Sequence, residues 1–118
     1  MVDLRNTNAL DDKVSIQEDG AGNIDVQVAG ATIISSTGGL VGTGTWHHIA
    51  VTRDGTTLRL FIDGAVAGTV TNATDMGTTG TLHLGADFQD SDGFEGFVDD
   101  FRIERGVAKY TGAFTAPT

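Results

Sequence analysis

Residues 45–64 read TWHHIAVTRDGTTLRLFIDG, two runs of alternating apolar side chains either side of an Asp-Gly pair. Successive side chains of a strand point to opposite faces, so this alternation constrains the chain more than any other feature. Ile49 and Val51 fall on one face of the first run with His47, and Trp46, His48, Ala50 and Thr52 fall on the other. In the second run Leu58, Leu60 and Ile62 share a face, opposite Arg59 and Phe61. Asp54-Gly55 is the strongest short hairpin signal in the chain. The predicted core face therefore carries Ile49, Val51, Leu58, Leu60 and Ile62. The opposite face, with Trp46, His48, Arg59 and Phe61, is amphipathic rather than polar.

The same period recurs elsewhere. Val14 and Ile16 alternate before the turn Asp19–Asn23, and Ile24, Val26 and Val28 alternate after it, which predicts a hairpin. ATIISST, AVAGTVT and LHLGAD read as further short strands. GFVDDFRIE, residues 96–104, reads as the last clear strand, with Phe97, Asp99, Phe101 and Ile103 on one face. Turn signals recur about every 8–12 residues, the spacing of an antiparallel sandwich. No segment sustains a 3.6-residue period, so almost no helix is expected. The 17 glycines, single proline and abundant Thr and Val agree with strands joined by tight turns. The predicted fold is all-β, an antiparallel sandwich of about eight strands. Residues 1–13 read as a polar lead-in and residues 14–118 as one domain, which 118 residues suit.

A formal net charge of −9 and a pI near 4.4 set a negative field around the molecule. That field repels phosphate backbones and anionic lipid, so nucleic acid and membrane insertion are excluded as expectations. The chain has no cysteine, which removes disulfides and thiolate metal sites. Asp3 and Arg5 follow Met1 at once, so no secretory leader or membrane span is expected in this chain.

WHHIAVTRDGTTLRLFIDG, LHLGAD and FEGFVDDFRIERGVAKYTGAFTAPT together resemble the concanavalin A-like lectin/glucanase superfamily, and within it the laminin-G-like jelly-roll domains. The ending GVAKYTGAFTAPT resembles the tails of such domains in phage and environmental viral structural proteins. The resemblance runs from about Val14 to Thr118. It implies a jelly-roll sandwich, a glycan-binding or surface-recognition role, and a virion or extracellular surface setting. Members usually carry further strands before the matched region. A shortened sandwich would leave a sheet edge open, which invites pairing with another chain. A homo-oligomer through open edges is expected on that ground.

Four groups of residues are weighed for function. Trp46, His48, Arg59 and Phe61 are the candidate ligand-binding set. An indole plate stacks on the C–H face of a sugar ring, and polar neighbours meet the hydroxyls. The competing reading has Trp46 plugging the sandwich end under a loop or the C-terminal tail. Asp87, Asp90, Asp92 and Glu95 are candidate ligands for calcium, which takes six to eight oxygens. Laminin-G-like and pentraxin-like relatives bind it at a sandwich rim, and the competing reading is a solvated acidic loop. His47 and His48 point to opposite faces, which suits packing and hydrogen bonding better than one shared metal. Asp99 and Asp100 read as structural, one of them turned inward and met by Arg53, Arg102 or backbone donors.

Catalysis is not expected. Glycoside hydrolysis needs two positioned carboxylates. The Glu-x-Asp-x-x-Glu strand motif of the glucanase relatives is missing, and Glu18, Glu95 and Glu104 are the only glutamates. The expected role is a non-catalytic lectin-like module, binding through rim loops 38–45 and 87–95 or the Trp46 face. The alternative is a structural assembly domain without sugar binding.

Overall fold

The computed structural model describes residues 2–4, 14–76, 81–87 and 93–117. Among the described residues the regular elements are all strands: β1 Val2–Asp3, β2 Val14–Glu18, β3 Ile24–Val28, β4 Ala31–Ser35, β5 Ile49–Asp54, β6 Thr57–Ile62, β7 Ala65–Thr71 and β8 His83–Leu84. They form two antiparallel sheets, a five-stranded one in the order β4-β3-β2-β1-β8 and a three-stranded one in the order β5-β6-β7. The fold is the all-β sandwich the alternation predicts.

The core lies between the sheets. Ile24, Val26 and Ile34 of the large sheet meet Leu58, Leu60 and Ile62 of the small one, all buried. Ile49 and Val51 pack against this cluster but stay half-buried. Fully burying an aliphatic side chain of this size contributes about 1.5–3 kcal/mol, so these six positions carry much of the stability. The sheets come closest where β4 meets β7. A Cβ on Gly68 of β7 would collide with Cγ2 of Ile34, so glycine here permits the close approach. The β6–β7 register shifts between Leu60 and Phe61, leaving Ala67 as a bulge beside this contact.

Turn chemistry fixes the registers. Asp63 and Gly64 both take positive φ, 51° and 82°, between paired Ile62 and Ala65. That is the backbone of a type I′ hairpin turn, whose twist matches its strands. The β5–β6 turn differs slightly from expectation. Asp54 pairs with Thr57 inside the ladder, so the loop is Gly55-Thr56 with Gly55 at φ 58°. Glycine at the first central position takes this φ without a Cβ penalty, which moves the turn one residue along.

Two expectations fail. The predicted lead-in contains a strand: Val2 and Asp3 pair with β2 on one side and β8 on the other, and Asp3 is fully buried. Two residues are too few to show a period, so the pattern could not reveal them. Residues 96–104 form no strand, although they alternate. Asp100 takes φ 48°, and its N–H donates to its neighbour's Asp99 Oδ1 at 2.8 Å. A left-handed residue breaks an extended run. Phe97 (86% exposed) and Ile103 (52%) therefore face water rather than the core. Neither Asp99 nor Asp100 is buried; Arg102 lies 3.6 Å from Asp100, and Arg53 donates instead to Gly55 and Thr74 carbonyls.

Candidate functional site

The site is built around the start of β5. Asp63, fixed in its I′ turn, accepts two hydrogen bonds: from the His48 backbone N–H at Oδ1 and from His47 Nδ1 at Oδ2, each 2.8 Å. These bonds hold the Asp63 carboxyl below its ordinary value, the His47 contact most and the His48 amide next. Gly42 N–H lies 3.4 Å from His47 Nε2, which ties the glycine-rich loop to the same imidazole. The two residues after Trp46 are thus pinned. Trp46 itself is 67% exposed, and the expectation that it plugs the sandwich end is not met. The tail that could have covered it packs instead on His48 and Phe61.

The tail covers a different part of that face. Tyr110 and Phe114 stack on each other with ring centroids 3.5 Å apart. Phe61 meets both edge-on, at 6.2 and 5.3 Å, and so does the His48 ring, at 6.3 and 5.5 Å. Such edge-to-face pairs add to the burial of the rings themselves. Thr52 Oγ1 donates to the Tyr110 carbonyl at 2.7 Å, and Phe114 N–H donates to Gly64 O at 3.0 Å. A Cβ on Gly64 would strike the Phe114 carbonyl, so glycine serves both the turn and the docking of the tail.

The four predicted ligand residues do not form one open platform. Trp46 is exposed, His48 and Arg59 are half-buried, and Phe61 is fully buried under the tail. Phe61 alternates onto the outer face as predicted, but a second layer of aromatic rings seals it there. Among the described residues, His48 Nδ1 and Arg59 Nη1 are buried without a hydrogen-bond partner. Beside β5 opens a cleft of about 910 Å³ whose lining includes Ile16, Ile49, Val51, Trp46, Phe97 and Phe101.

Of the four predicted calcium ligands, Asp90 and Asp92 lie outside the described residues. Asp87 is buried and Glu95 exposed. Among the described residues, no three His, Cys, Asp or Glu side chains are grouped to hold a metal ion.

Sequence reasoning missed three residues of this site. Asp63 read only as a turn, though an aspartate at such a turn is also an acceptor for a nearby loop. Tyr110 and Phe114 lay in a tail without periodicity, where their aromatic character was the available signal.

A family model, Laminin_G_3, described as concanavalin A-like lectin/glucanases superfamily, matches residues 3–109. The match begins within β1, at Asp3, and includes every later strand. No curated protein and no solved structure matches the chain. With two antiparallel sheets, an outer face carrying Trp46 and a family match over most of its length, the chain belongs to the concanavalin A-like lectin/glucanase superfamily.

Proposed function

We propose that this domain is a non-catalytic, lectin-like recognition module, with Trp46 as the plate on which a neutral sugar ring stacks. One observation carries the reading: Trp46 is 67% exposed although the next two residues are both bonded to Asp63. An exposed aromatic on pinned backbone loses little conformational freedom on binding, which favours affinity. The net charge of −9 disfavours sialylated or sulfated glycans, so neutral ones are the expected class. The setting proposed is a phage or viral particle or another extracellular surface, which the GVAKYTGAFTAPT tail resembles. An array of neutral and anionic glycans tests this, run with and without calcium chloride because of the acidic loop at Asp87–Glu95. Binding confined to neutral glycans and lost in Trp46→Ala supports it, and an array without hits refutes it.

The second reading is an assembly domain. The observation in its favour is that β4, β5, β7 and β8 all end a sheet. Light scattering at rising concentration tests it: a stable oligomer with an empty glycan array favours assembly.

A further inference from the structure

We propose that Asp54-Gly55, at the tip of the β5–β6 hairpin, is a site of spontaneous isoaspartate formation, favoured over the equivalent turns at Asp19 and Asp63. Asp-Gly pairs stand at 19–20, 54–55, 63–64 and 92–93. In each, a glycine without a Cβ lets its backbone nitrogen approach the preceding side chain. Local sequence gives all of them the same chemistry, so the fold must separate them. Asp92 lies outside the described residues, and the comparison is among the other three.

The rearrangement balances with water alone. The glycine nitrogen attacks Cγ of the protonated carboxyl, the C–OH bond breaks, and the hydroxyl leaves with the amide proton as water. A five-membered succinimide results. Water then opens the ring. Attack at the side-chain carbonyl restores aspartate, and attack at the main-chain carbonyl leaves isoaspartate, whose backbone runs through Cβ and Cγ. Such a reaction needs a carboxyl that is free to turn and free to take a proton.

Two of the three carboxyls are not free. Asp63 accepts from the His48 N–H and from His47 Nδ1, each at 2.8 Å, and Gly64 is buried against the Phe114 carbonyl. Asp19 accepts from the Ala21 N–H at 2.8 Å, the Asn23 N–H at 3.1 Å and Asn23 Nδ2 at 2.9 Å. These bonds hold both carboxyls below their ordinary value, the Asn23 side chain acting most at Asp19 and His47 most at Asp63. Both stay ionised, and a carboxylate is a poor electrophile. Asp54 differs. It is exposed with Gly55 and Thr56, and among the described residues its carboxylate has no hydrogen-bond or ion-pair partner. Gly55 opens the loop beyond the closing pair Asp54–Thr57, so the attacking nitrogen belongs to no paired residue. The product would insert a methylene next to that closing pair and shift Gly55 O from Arg53 Nε, now 2.9 Å away.

Peptide mapping of the intact chain after prolonged warm incubation tests this. Electron-transfer fragmentation separates isoaspartate from aspartate, which have the same mass. Isoaspartate should accumulate at position 54 at least about tenfold faster than at 19 or 63, each of which must first give up two or three hydrogen bonds. In guanidinium chloride the three rates should converge, because the fold sets the ranking. His47→Ala, which frees Asp63 Oδ2, should raise the rate at 63 and leave the rate at 54 unchanged. Equal accumulation at 19 or 63 in the folded chain overturns the proposal, and so does a ranking that survives denaturation. An unmoved rate at 63 in a folded His47→Ala variant contradicts it as well.

Discussion

Asp63 occupies a left-handed backbone position and accepts from two consecutive residues at once. Because its folded pKa lies below the ordinary 3.8, the fold favours the ionised carboxylate. Its contribution to stability is therefore complete above about pH 4 and fades as pH falls through the lower folded value. Asp63→Asn keeps the turn and one acceptor oxygen but loses the charge. Its deficit relative to the parent should be under about 1 kcal/mol at neutral pH, because the side chain is half exposed and screened. Urea unfolding at a series of pH values should show the deficit vanish in acid. Gly68 acts through space rather than charge. Gly68→Ala pushes a methyl group into Ile34, and overpacking of this kind costs about 1–3 kcal/mol. The midpoint of denaturant unfolding measures it; an unchanged midpoint would mean that the sheets simply part.

At the level of elements, the hairpins were legible and the tail was not. Ile24, Val26 and Val28 alternate beside a turn, and the same local rule places Leu58, Leu60 and Ile62 in the core. Val2–Asp3 is visible only through its neighbours on both sides, which lie far away in sequence. Phe61 shows the same limit: alternation gives its face, but the rings that seal it come from residues 110 and 114. Trp46, on the same face, is left open because that seal ends before it. Removing one ring of the seal should be felt by the strand beneath. Phe114→Ala is expected to lower stability by about 1–3 kcal/mol, less than the loss of a fully buried ring, since Phe114 is half-buried. The variant should also raise the binding of an apolar dye as Phe61 becomes accessible. A stable variant with no added dye binding would mean that the tail only rests on the sheet.

At the scale of the whole molecule, the fold and the proposed recognition are separable. The sandwich is held by residues between its sheets and by the aromatic seal on one outer face. Trp46 belongs to neither, so Trp46→Ala should change stability by no more than about 0.5 kcal/mol. It is also the only tryptophan in the chain, so its emission reports one place. The most direct test is a fluorescence titration with neutral oligosaccharides, using gluco-, manno- and chito-oligomers as probes. A saturable shift in Trp46 emission, with binding lost in the folded Trp46→Ala variant, is the predicted result. Saturable binding that leaves the emission unmoved and survives Trp46→Ala would contradict it.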